Sequence, residues 1–135
     1  MSDNRVLESA PRTKSYRDLI VWQRSIQLVK KVYEITRTFP ADERFGLVSQ
    51  MRRASVSISS NIAEGQARRT PGEFINFISQ AEGSTAELDT QFIIACELSF
   101  VSEQSRQEIP GLIDEVSRML NALRRSLSPQ LATRH

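Results

Sequence analysis

Between about residues 43 and 67 the chain carries a set of polar side chains whose types and spacing could do chemistry. Gln50, Ser57 and Glu64 are seven apart and share one column of a helical wheel. Arg53 lies three residues after Gln50, and Asn61 four after Ser57. Ala54, Ser55, Ser59, Ser60, Ala63 and Gly65 are interspersed. Serine and glycine are mediocre helix formers, so these small residues imply close approach of another backbone rather than local propensity. The segment from 70 to 100 supplies counterparts: Ser84 and Gln91 on a seam between Phe77 and Leu98, and Glu87 on its flank. Gly83, which costs about 1 kcal/mol relative to alanine inside a helix, predicts close helix–helix contact there. We expect a buried or interfacial network in which Arg53 and Gln50 meet Glu87 or Glu64, setting register more than stability. The catalytic alternative makes Glu64 and Glu87 paired carboxylates, with no nucleophile or metal ligand beside them.

The rest of the sequence withholds catalytic parts. The single histidine is His135, the last residue, and the single cysteine is Cys96, inside an apolar segment. A zinc site, a Ser-His-Asp triad or a Cys-His dyad needs a held imidazole or a ligand cluster. No GxxxxGK[ST] or GxGxxG phosphate loop occurs. The reading is therefore a non-enzyme with no cofactor and no metal, and with Cys96 as a small core residue. With 39% hydrophobic and 25% charged residues, the 135-residue composition fits one globular domain. No apolar run approaches the ~20 residues that cross a bilayer. Residues 1–15 lack the apolar region of a secretory signal, so cytoplasmic residence is expected.

Charge is unevenly placed. Residues 1–70 hold 13 basic and 7 acidic side chains, residues 71–135 hold 5 and 9, and the two halves should attract. Arg17, Arg24, Lys30, Lys31 and Arg37 fall on one face of the first helical segment, a stripe about 30 Å long that could follow a phosphate backbone or simply be a solvated face. Arg68 and Arg69, with Arg52 extending the patch, are a second anion-binding candidate beside a helix N-terminus.

These side chains need helices to position them. There is no period-2 alternation and no Asn-Gly or Asp-Gly turn, whereas helical periods run almost throughout. The first helix should start at Ser15, with Asp18 reaching back, and end near Phe39, before Pro40. The second should run from about Glu43 to Ala67. The third should be capped by Thr70, with Pro71 first and Glu73 completing a capping box, and end near Phe100. Ser102 and Ser105 are candidate caps for a lead-in turn, and Pro110 should open a fourth helix ending near Leu127. Short connections between comparable helices give an all-α, antiparallel up-down-up-down four-helix bundle over residues 15–127. Residues 1–14 and 128–135 read as disordered tails.

The first helix carries more apolar surface than one core covers. Leu19, Trp22, Ile26, Val29 and Tyr33 form a seam, and Val21, Leu28, Val32, Ile35 and Phe39 a second row. Together they span roughly 200°, against the ~100° stripe of a surface helix. The second row is accordingly expected to be an interface between copies, with a simply well-buried helix as the alternative.

The run from Gln50 to Gly65, QMRRASVSISSNIAEG, resembles the signature of the four helix bundle protein family, also called 23S rRNA intervening-sequence or S23-like proteins. Further matches are Tyr16-Arg17-Asp18-Leu19 with Val21-Trp22, Phe39-Pro40 before Phe45-Gly46-Leu47, and Glu73-Phe74 followed by Gly83-Ser84 and Glu87-Leu88. The resemblance covers about residues 15–127. It implies a bacterial, cytoplasmic bundle assembled as a ring-like homopentamer, some members being encoded within insertions in large-subunit rRNA genes. Similar bundles include the accessory protein of diversity-generating retroelements, a basic pentamer that works with a reverse transcriptase and nucleic acid. Two functions are therefore expected to compete: an RNA- or DNA-associated accessory protein, and a scaffold for an unidentified protein partner that binds no nucleic acid.

Overall fold

A computed structural model describes residues 15–132. Ser15 does act as a cap, its Oγ accepting from the Arg17 amide at 3.0 Å, but it caps a single 3-10 turn over Tyr16–Asp18. Leu19 is extended, and the first long helix, α1, runs Ile20–Thr36. The chain leaves it just before Pro40, whose ring disfavours helical geometry in the residue ahead of it. A 3-10 turn over Ala41–Glu43 follows, and α2 spans Leu47–Gln66, beginning four residues later than the sequence suggested. Gly46 occupies the cap position without a side chain, so the Glu43 Oε1 takes over and accepts the Leu47 amide at 3.2 Å.

Helix α3, Pro71–Glu97, starts as expected: the Thr70 Oγ1 accepts from the Glu73 amide at 3.2 Å, and Pro71 fills the first position. It ends short of Phe100. Ser99 sits at φ 64°, and the amides of Ser99 and Phe100 donate back to the carbonyls of Cys96 and Ala95. That reversal satisfies the last carbonyls in the manner of a left-handed C-terminal cap.

Helix α4, Glu103–Ala132, departs most from expectation. Ser102 caps it through the Ser105 amide at 3.2 Å, and no separate lead-in turn exists. Pro110 lies inside the helix rather than in its first turn, although it removes one rung and crowds the preceding turn at a cost of about 3 kcal/mol. Ile109, Ile113 and Val116 are buried on either side of it, and burial of that stripe holds the helix together across the defect. The same helix continues past Leu127 to Ala132, five residues beyond the expected end. Residues 1–14 and 133–135, the remaining tail assignments, lie outside the described residues.

Pairings between helices fix the topology. Ser25 meets Ser59 while Arg52 meets Thr36; Ser57 meets Ser84 while Gly65 abuts Phe74 and Phe77. Arg124 pairs with Glu82 while Arg106 reaches the Cys96 carbonyl. Arg24 pairs with Glu115 while Lys31 pairs with Glu108. In each set one residue number rises as the other falls, so neighbouring helices are antiparallel and α1 closes against α4. Among the described residues there are four long helices and no strand. The α1–α4 pairs join the basic part of the chain to its acidic part, as the charge split anticipates. They are about one-third exposed or more, so each is worth roughly 0–1 kcal/mol and aligns the helices more than it stabilises them.

The core overturns the assignment of the second apolar row of α1. Val21, Leu28, Val32 and Phe39 are buried within the protomer, and Ile35 packs against them. They line up with the buried Ser25 and Thr36 and face Met51, Ile58, Ile62, Leu88 and Leu120 in one cluster. The row left half-covered is the other one. Trp22, Ile26 and Val29 are only partly buried, and Tyr33 is exposed.

Gly83 is likewise not a contact point. It is exposed, and a Cβ placed on it would meet nothing within 4 Å. Gly83→Ala should therefore raise the free energy of unfolding by about 1 kcal/mol, the propensity difference at an open helix position. A thermal melt that fell instead would show that another chain packs on that spot.

Candidate nucleic-acid interface

The polar flank of α2 forms only part of the expected network. The Oγ atoms of Ser57 and Ser84 lie 2.9 Å apart, and the Asn61 Nδ2 donates to the Ser57 carbonyl at 2.9 Å and to its Oγ at 3.1 Å. At Gly65 the helices approach tightly: an added Cβ would fall 2.8 Å from both Phe74 and Phe77. That approach suits short side chains and turns long ones outward. Gln50, Arg53, Glu64 and Glu87 are exposed, and none of them takes part in the ion pairs of the described residues. Gln91 is buried, with its Oε1 lacking a partner. Glu64 lies level with Phe77, and Glu87 sits one turn beyond the Ser57–Ser84 contact. About ten residues of helix therefore separate the two carboxylates, some 15 Å. They cannot act as a pair.

The basic stripe is also divided. Arg24 and Lys31 turn towards α4, where the Arg24 Nε lies 3.0 Å from the Glu115 Oε2 and the Lys31 Nζ 3.6 Å from the Glu108 Oε1. Arg17 lies 6.0 Å over the Tyr16 ring, and Lys30 and Arg37 are exposed. Arg68 stacks 4.7 Å over Phe77, with Arg69 exposed beside it. Arg52 is the most firmly placed: its Nε donates to the Thr36 Oγ1 at 2.9 Å, and its guanidinium lies 4.4 Å over the Tyr33 ring. Arg17, Lys30, Arg37, Arg52, Arg68 and Arg69 form no ion pair among the described residues.

Two concavities lie along the α1–α2 face. One, of about 290 Å³, is lined by Tyr16, Trp22, Ile26, Val29 and Val56 with the small Ser60 and Ala63 on its far wall. The other, of about 250 Å³, lies at the corner where α1 turns into α2 and brings Arg37, Arg44 and Arg52 together. Arg44 was not singled out in the sequence. The sequence suggests a helix from about Glu43, whereas Arg44 sits in the connection ahead of α2, and only that turn brings it beside Arg37 and Arg52. Cys96 is partly buried, and burial pushes its thiol above the ordinary value; the Arg106 charge lowers it less, and Glu97 raises it further. That is the setting of an unreactive thiol.

The fold and surface define a class: a four-helix bundle whose first two helices present unpaired cations and an apolar groove, with no helix among the described residues long and apolar enough to cross a membrane. The family model described as 23S rRNA-intervening sequence protein matches residues 17–122, and the chain belongs to that family. A solved structure with the same fold is a protein of unknown function from the S23 ribosomal protein family of Bacteroides thetaiotaomicron VPI-5482. It is 17% identical, with a TM-score of 0.72 over 78% of this chain and 96% of that one. No curated protein matches the chain. Neither the family description nor that of the neighbour names an enzymatic activity.

Proposed function

We propose that the protein is a non-enzymatic, cytoplasmic, homo-oligomeric accessory protein that associates with RNA or a ribonucleoprotein. The observation that carries this reading is the set of cations on α1, α2 and the segments beside them that form no ion pair among the described residues: Arg17, Lys30, Arg37, Arg52, Arg68 and Arg69. Cations that no ion pair engages are free to meet a polyanion, because each phosphate neutralised releases counterion. Membership of a family described by an rRNA intervening sequence supports the same direction. Self-association is supported by the half-covered Trp22, Ile26 and Val29 facing Val56 across an open groove. A ring of five copies is the arrangement that the family resemblance implies.

Size exclusion with light scattering, recorded at 260 and 280 nm, tests both parts. The expected result is a mass about five times the 15.3 kDa protomer and RNA binding that weakens steeply with salt. A 15.3 kDa particle would remove the assembly, and no retention of RNA at about 50 mM salt would remove the nucleic-acid part. A second reading, an adaptor for a protein partner, is favoured by Ile93 (53% exposed), Ile94 and Leu98 (52%) at the end of α3. One stoichiometric protein recovered after nuclease treatment would support it over the first.

A further inference from the structure

We propose that the corner between α1 and α2 is a binding pocket for a phosphate monoester, held by Arg37, Arg44 and Arg52. Three guanidinium-bearing side chains line one cavity of about 250 Å³, with Phe39, Pro40 and Val48 among its other walls and no carboxylate in the lining. None of the three arginines forms an ion pair among the described residues. The adjacent Glu43 is engaged elsewhere, its Oε1 accepting the Leu47 amide at the start of α2.

Arg52 is prepared for a ligand. Thr36 donates its hydroxyl proton to the Val32 carbonyl at 2.7 Å, which leaves the Oγ1 lone pairs for the Arg52 Nε at 2.9 Å. Tyr33 covers one face of the guanidinium at 4.4 Å. The Nε and one face are therefore fixed, and the two terminal nitrogens remain as paired donors in the fork geometry that suits a phosphate. Arg37 and Arg44 are exposed arms at the rim, Arg44 lying 5.5 Å over Phe45, and can close on an anion without disturbing the core.

The charge sets the ligand class. Three positive groups around one cavity exceed what a single phosphodiester, with one negative charge, neutralises. A monoester dianion matches them better, and the remaining volume accepts the sugar it is attached to. Two sources carry that group: the 5′-phosphorylated end of an RNA strand and a free nucleoside monophosphate. The first rests on the RNA reading above, and the second does not.

The test compares fluorescently labelled single-stranded RNA bearing a 5′-phosphate or a 5′-hydroxyl, and adenosine monophosphate by calorimetry. Each probe is measured on the full chain and on Arg37→Ala, Arg44→Ala and Arg52→Lys, with circular dichroism melts as a folding control. The 5′-phosphate strand should bind about tenfold more tightly than the 5′-hydroxyl strand, and each of the three variants should erase most of that difference. Binding of the mononucleotide alone, lost in the same variants, supports the pocket with free nucleotide as its ligand while the RNA reading falls. Equal affinity for both strands with no heat from adenosine monophosphate overturns the proposal. So does discrimination that survives in well-folded Arg37→Ala and Arg44→Ala.

Discussion

Truncating Leu28 to alanine should lower the free energy of unfolding by about 3 kcal/mol, the cost of a vacated, fully enclosed leucine site. Leu28 has no exposure within the protomer and sits among Val32, Met51, Ile58 and Leu88 in the central cluster. Helices on every side hold that space open, so the cavity cannot collapse cheaply. A urea titration of dilute protein reads the effect as a fall in the midpoint with an unchanged slope. The contrast is Val56→Ser on the open groove, 42% exposed, which should shift protomer stability by only about 0.5 kcal/mol. If Leu28→Ala left unfolding unchanged and altered only the oligomeric mass, Leu28 would belong to an interface after all.

Gly65→Ala should destabilise by about 1–3 kcal/mol, even though alanine is the better helix former by nearly 1 kcal/mol. The new methyl would come within 2.8 Å of the Phe77 Cβ and of a Phe74 ring carbon, with a second Phe74 ring carbon at 3.2 Å. A Cβ is anchored to its backbone, so relief requires α2 and α3 to separate. Separation would strain the Ser57–Ser84 contact of 2.9 Å further along the same seam. Thermal melts of Gly65→Ala and Gly83→Ala measured together make a matched pair, since both are glycines inside long helices. Opposite signs are expected, and a rise in both would show that the α2–α3 approach is not tight.

Much of the fold was legible in the sequence, and the reasons differ by element. Thr70-Pro71-Gly72-Glu73 states a helix start through purely local chemistry, and the structure follows it. Ser15 and Pro40 were read correctly as punctuation, but the extended Leu19 and the turn at Ala41–Glu43 shortened the helices they bound. Pro110 was misread because a local rule met a tertiary effect: burial of Ile109 and Ile113 outweighs the lost rung. The two apolar rows of α1 were correctly seen and wrongly allotted, since a wheel gives the width of an apolar arc and not which part faces inward. The same limit explains the polar flank of α2. Periodicity placed Ser57, Asn61 and Ser84 on facing sides, while the reach of Arg53 and Glu87 depended on an interhelical distance that a sequence does not state. The arginine corner was half visible: helical spacing singled out Arg37 and Arg52, whereas Arg44 joins them only through the turn between α1 and α2.

The small residues of α2 carry one more consequence, which concerns how freely this helix can drift. Between Leu47 and Gln66 the exposed positions are Gln50, Arg53, Val56, Ser60 and Glu64, a single file down the outer surface. Every other residue of α2 is at least partly covered, by α1 on one flank and α3 on the other. Substitution at those covered sites must satisfy one neighbouring helix or the other, so neutral change is confined to the file. A helix wedged in this way accepts larger side chains only along its outer file.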